Sequence, residues 1–226
     1  MAAFTDFTNI LPDPNNKIGS AGQASAVGSA GAGFASVRLS SIAPIMRTRT
    51  NSGRLTSRSA AYHMWNVTIT YNPMTREEFD PIYSFLLEKQ GSLKPFYVSL
   101  PQYLGGATNT TTVESKSAGA TSVMALSTNV SVGDMFNIVG LDANHQKAYK
   151  VTRIETPTDY RTSDGAPPSG RIRLHFTPPL QRNINSGATI ELANPLVKVI
   201  SNSDTQEYAL NTENLYSFSL QLEEAS

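Results

Sequence analysis

Histidines, carboxylates and glycines are the residue types in this chain that could carry chemistry. His63, His145 and His175 stand far apart, with no ligand-like spacing and no carboxylate motif beside them. A zinc site needs ligands at short, fixed separations, so each histidine reads as a strand or loop residue. Glu77-Glu78 sit where a helix begins. There the helix dipole favours negative charge, which accounts for them without catalysis. Asp134 and Asp142 raise the question of calcium, yet their loop lacks the alternating oxygen ligands of an EF-hand. Gly31-Ala32-Gly33 and Gly105-Gly106 fall outside any dinucleotide or Walker frame. No G-x-S-x-G nucleophile elbow occurs. These residues point to no enzyme, no cofactor and no metal.

Composition narrows the class further. The chain has 226 residues, a formal net charge of zero and no cysteine. That length suits one large or two small domains with a substantial core. Zero net charge gives no global pull toward nucleic acid or membrane. Without cysteine there is no disulfide, thiolate metal site or cysteine nucleophile. No apolar run reaches the roughly 18 residues of a membrane-spanning helix, so no membrane insertion is expected. The opening MAAFTDFTNI has neither the basic nor the apolar region of a secretory signal. Only 16% of residues are charged, and abundant Ser, Thr, Asn and Gly favour β-structure and loops.

The element that organises the chain runs from Tyr62 to Tyr103. Trp65, Val67, Ile69 and Tyr71 alternate with Asn66, Thr68 and Thr70, the period of a half-buried strand. Asn72-Pro73 ends it. Thr75 and Glu78 stand in the capping-box relation, with Met74 and Phe79 at the staple positions. Phe79, Ile82, Tyr83 and Leu86 form one apolar stripe of a short helix, and Gly91 suits a left-handed stop. Pro81 leaves two readings open: it lies inside the helix, or the helix restarts with Asp80 as N-cap. A second strand follows over 95–100. The candidate core is Trp65, Val67, Ile69, Phe79, Ile82, Phe85, Leu86, Phe96, Phe218 and Leu220.

The flanks differ in charge. Residues 1–18 read as an irregular arm that Phe4, Phe7, Ile10 and Leu11 could anchor, and 19–36 as a Gly/Ala/Ser-rich linker or arm. From Pro14 through Arg76 there is no Asp or Glu, while Arg38, Arg47, Arg49, Arg54 and Arg58 cluster there. VRLSS…IMRTRT with the turn at Asn51-Ser52-Gly53 reads as a β-hairpin carrying arginines on one face. Beyond Lys198 there is no Lys or Arg, but there are Asp204, Glu207, Glu213, Glu223 and Glu224. Basic and acidic poles on one chain suit head-to-tail contacts between copies. Arg38, Arg47, Arg49, Arg54, Arg58, Glu207, Glu213, Glu223 and Glu224 are therefore the candidate subunit-interface residues.

Between Gly106 and Pro195 lie short apolar runs at 122–126, 135–139, 149–154, 172–176 and 189–192, punctuated by Gly and Pro. Short strands at such spacing suggest a small barrel. The sheet pattern resumes at 196–201 and in the final strand, where Tyr216, Phe218, Leu220 and Leu222 alternate with polar residues. The fold class expected is mainly β: an antiparallel sandwich or split barrel with one short helix, plus an inserted small β-barrel. The divisions are an arm over 1–36, a core domain over 37–105 and 196–226, and an insertion over 106–195.

W-N-V-T-I-T-Y, then T-R-E-E-F…F-L-L-E-K-Q-G-S-L-K-P-F-Y-V-S-L-P, resembles the phage tail-tip proteins, namely distal tail proteins and the minor tail protein M of lambda-like phages. Phe85, Gly91, Phe96 and Pro101 stand at the family's helix-end and strand positions, and Tyr216–Glu223 is similar to its last strand. The resemblance implies a structural virion protein. It would form a hexameric ring that joins the tail tube protein to hub or baseplate proteins, with nucleic acid only in passing through the channel. Assembly in the bacterial host cytoplasm is implied with it. Two other readings stand beside this one. One is an adsorption protein whose inserted barrel binds a receptor or carbohydrate; with the single Trp65 in the core strand, Tyr149, Tyr160 and Phe136 would have to serve. The other is nucleic-acid binding through the arginines at 38–58.

Overall fold

The computed structural model describes residues 9–12, 33–60, 62–103, 107–139 and 145–225, with backbone alone at 145–146. Strands dominate, with one α-helix among these residues. In chain order they are β1 Phe34–Ile42, β2 Ile45–Arg49, β3 Leu55–Ser59, β4 Met64–Tyr71, α1 Arg76–Lys89 and β5 Phe96–Ser99. Then come β6 Thr110–Thr111, β7 Ser122–Leu126, β8 Met135–Val139, β9 His145–Glu155, β10 Arg171–Thr177 and β11 Thr189–Glu191. The last are β12 Leu196–Ser201, β13 Ala209–Leu210, β14 Tyr216–Ser217 and β15 Ser219–Glu224. No helix among the described residues is long and apolar enough to cross a membrane.

The chain divides into two compact units, residues up to Tyr97 with Val199–Ala225, and Val98–Lys198. Both divisions fall within strands, β5 and β12. In the first unit the sheet order is β1-β4-β15-β12-β5. Alternation drives β4: Trp65, Val67, Ile69 and Tyr71 are buried while their neighbours are half-buried. The last strand pairs with it antiparallel, Leu220 opposite Ile69 and Leu222 opposite Val67. At the β5 edge Leu11 N donates to Tyr97 O at 2.8 Å and Tyr97 N to Asn9 O at 2.7 Å. Covering an edge in this way removes a template for unwanted pairing. Phe4 and Phe7 lie outside the described residues.

Helix α1 is continuous and contains Pro81, so the first of the two readings of Pro81 holds. Its ring forfeits one backbone bond within the helix. Glu78 Oε2 accepts from both Thr75 N, at 3.1 Å, and the Thr75 hydroxyl, at 3.0 Å. At the far end Gln90 and Gly91 both take positive φ, 56° and 65°. Phe79, Ile82, Phe85 and Leu86 are buried. Phe79 stacks on Tyr216 with centroids 4.5 Å apart, and Phe85 meets Phe96 edge-on at 5.5 Å. Phe218 is buried as well.

Strand β1 begins at Phe34, inside the segment read as an arm, and pairs with β4 along its length. Arg38 belongs to that sheet. The hairpin is formed by β2 and β3 about the expected turn at Asn51-Ser52-Gly53, whereas residues 37–42, read together with it, pair with β4 instead.

In the second unit the sheet order is β6-β11-β8-β9-β10-β7. Its first and last strands are joined by a bridge between Thr112 and Ala125 and by Val113 N donating to Met124 O at 2.9 Å. The sheet thus curls into a near-complete barrel, which leaves few exposed edges. Its core packs Phe136, Tyr149 and Phe176 with Val123, Ile138, Leu174 and Ile190.

Candidate functional site

The β2–β3 hairpin is the element whose residues have least to do with the chain's own core. Every residue of both strands is exposed. Thr50 shapes the turn: its N donates to Arg54 O at 2.9 Å and Arg54 N donates to its hydroxyl at 3.1 Å. The register places Arg47 opposite Ser57, Arg49 opposite Leu55 and Met46 opposite Arg58. Because side chains alternate, one face carries Ile45, Arg47, Arg49 and Leu55, and the other carries Met46 and Arg58. The arginines therefore do not share one face, as the sequence reading had it; Arg54 lies in the turn. Ile45, Met46 and Leu55 are each more than half exposed, an unusual concentration of apolar surface on a small element.

The acidic residues separate into two groups. Glu207 and Glu213 are exposed, on either side of β13, and Glu223 is half-buried. Glu224 is only 5% exposed, and its Oε2 accepts from Trp65 N at 3.1 Å. It is a packing residue of the first unit, which takes it off the candidate interface. Asp204 is held locally: its carboxylate accepts from the Ser92 hydroxyl and amide, and these bonds keep its pKa below the ordinary value.

The histidines sit in unrelated surroundings. His63 Nε2 shares a hydrogen bond with Ser41 Oγ at 2.8 Å, and its ring meets Trp65 edge-on at 4.6 Å. The side chain of His145, the residues Gly31-Ala32 and Gly105-Gly106, and Asp142 lie outside the described residues. Asp134 closes a turn, accepting from Ser131 N at 2.7 Å.

His175 belongs to a charged cluster that linear spacing conceals. Glu155 is 2% exposed at its side chain and pairs with Arg173, at 2.6 Å, and with Arg153. His175 Nε2 is 3.4 Å from the same carboxylate, and Arg153 also reaches Asp164 at 3.2 Å. Burial pushes the Glu155 carboxyl upward. The Arg173 hydrogen bond and the charges of Arg153 and His175 more than cancel this and hold it below its ordinary value. Glu155, Asp164 and His175 present ligand atoms within 4.8 Å of one another. A cation there would meet two guanidiniums, whose charges already balance the two carboxylates. The cluster instead anchors the β9–β10 connection: Arg161 N donates to Glu155 at 3.3 Å and Arg173 donates to Gly165 O at 3.0 Å.

Of the barrel aromatics that could serve a sugar, Phe136 and Tyr149 are fully buried in the core. Only Tyr160 is exposed, at 41%.

Residues 24–103 match the family model described as distal tail protein pb9, A domain, N-terminal. The matched segment holds the hairpin, β4, α1 and β5. No curated protein matches the chain. The match supports a phage distal tail protein family, and with it a structural protein of the phage tail that resides in the virion.

Proposed function

We propose that this chain is a ring-forming subunit of the phage tail, hexameric, that joins the tail tube to the hub or baseplate and is assembled in the host cytoplasm. The observation that carries this reading is the β2–β3 hairpin, exposed along both strands. An isolated two-stranded hairpin is marginal in water, and this one exposes Ile45, Met46 and Leu55 beside four arginines. A second protein surface would cover the aliphatic groups and neutralise the charge. Closed rings need two different, complementary patches on each copy. The basic hairpin and the acidic residues after Lys198 supply them. The reading needs no reaction. Channels that pass DNA are poorly served by strongly basic walls, because phosphate binding would slow passage. The arginines therefore suit subunit contacts better than the lumen.

The test is the oligomeric state of the full chain across concentration, alone and mixed with tail tube protein. Ring-sized particles whose yield falls with added salt support the reading. Replacing 44–60 by a short Gly-Ser turn should leave a folded monomer. Rings that persist without the hairpin would overturn its role.

A further inference from the structure

The two hairpins of the first unit are rooted at opposite ends of one strand. Ile42, which leads into β2, pairs with Met64 at the start of β4. At the other end Tyr71 N donates to Phe218 O, and Met74 bridges to Tyr216 of β14. β14 pairs in turn with β13. Eight residues of β4 separate the two roots, about 23 Å at roughly 3.3 Å per residue.

The hairpins also match in character. The basic one presents Arg47 and Arg49 between Ile45 and Leu55 on one face. The acidic one exposes Leu210, at 51%, and Tyr208, at 49%, with Glu207 and Glu213 exposed on either side. Beside it lies a groove of about 360 Å³ whose lining includes Ser203, Thr205, Gln206, Glu207, Ser219 and Gln221. The Ser201 and Ser203 hydroxyls are engaged with Ser203, Thr205 and Gln206, while the Glu207 carboxylate is an acceptor of the kind that a guanidinium, with five donors and no acceptor, requires. Both surfaces are exposed in the single copy, so neither covers the other there.

We infer that the face of the β2–β3 hairpin bearing Arg47 and Arg49 docks on the β13–β14 hairpin and adjoining groove of the next copy. The inference rests on the ring reading and names the two surfaces that meet. Because the surfaces differ and sit at opposite ends of β4, the contact is heterologous. Repeating it adds copies in one direction until the assembly closes.

The chain contains no cysteine, which makes cross-linking decisive. Ser57→Cys, on the Arg47 face, is combined with Thr212→Cys, in the β13–β14 turn. The opposite roots put these positions beyond disulfide reach within one copy, since bridged Cα atoms lie within about 7 Å. Oxidation of the double variant should give a ladder of linked copies on a non-reducing gel, while each single variant gives dimers at most. In parallel, R47E/R49E and E207R/E213R should each weaken self-association about 100-fold, and the fourfold variant should recover it. Wild-type association that neither reversal weakens, with no ladder, would overturn this contact and leave the ring reading standing. A wild-type chain that stays monomeric at every concentration, with and without tail tube protein, would overturn both.

Discussion

Arg173 and Glu155 face each other directly across the β9–β10 pair, with Arg173 Nη1 2.6 Å from a carboxylate that is 2% exposed. Arg153 and His175 complete the surround, and Asp164 ties the connecting loop to it. A buried charge so enclosed is costly to expose singly. Glu155→Gln, which takes from Arg173 its carboxylate partner and leaves Arg153 with Asp164 as its carboxylate partner, should cost about 3 kcal/mol in urea unfolding of the full chain. A loss under 1 kcal/mol would mean that solvent already screens the group.

The same carboxylate sets a pH dependence of known sign. Its folded-state pKa lies below the ordinary value. Its contribution is therefore fully present above the unfolded-state pKa and is lost as pH falls through the folded one. Unfolding midpoints should stay level from neutrality down to the ordinary carboxylate range and drop below it. Glu155→Gln should flatten that acid limb; an unchanged limb in the variant would assign it to other carboxylates.

Phe85 is 7% exposed, packed edge-on to Phe96, with the Lys89 ammonium 4.6 Å from its ring centroid. Phe85→Ala should lower stability by about 3–5 kcal/mol through lost transfer energy and a residual cavity. Chemical denaturation measures it, and a change near zero would displace Phe85 from the core.

Gly91 and Gly53 separate two effects of a methyl group. Both have positive φ, 65° and 81°. A Cβ on Gly91 would lie 3.0 Å from both Asp204 Cα and Oδ1, whereas one on Gly53 would meet nothing within 4 Å. Gly53→Ala should cost about 1 kcal/mol, from backbone conformation alone. Gly91→Ala should cost clearly more, because backbone must also shift. Equal thermal shifts for the two would contradict the close approach of the Asp204 segment.

Asn137 is 6% exposed and holds three backbone groups, donating to Lys147 O and Leu196 O and accepting from Leu196 N. Asn137→Ala should cost at least about 2 kcal/mol, since buried polar groups lose their partners. A neutral substitution would mean that water replaces the side chain.

Strict periodicity made much of the fold legible in advance. β4 declares itself by four alternating apolar residues, and α1 by its cap and stripe, because one face of each is buried. β6 did not, since Thr110-Thr111 is too short to show a period. The hairpin turn at 51–53 was legible, but Val37–Ile42 and Ile45–Arg49 both alternate, and only pairing with β4 separates the first from the hairpin. Glu224 looked like part of an acidic tail, yet it lies in phase with Leu220 and Leu222, the buried face of β15. That phase was the available signal. Arg153 with Glu155 and Arg173 with His175 likewise share a face through i, i+2 spacing, but their meeting depends on the register of β9 against β10.

Native mass spectrometry of the full-length chain over a range of concentrations tests the ring most directly. A discrete six-copy species, absent from the chain lacking 44–60, is expected. A monomer at every concentration, with and without tail tube protein, would contradict it.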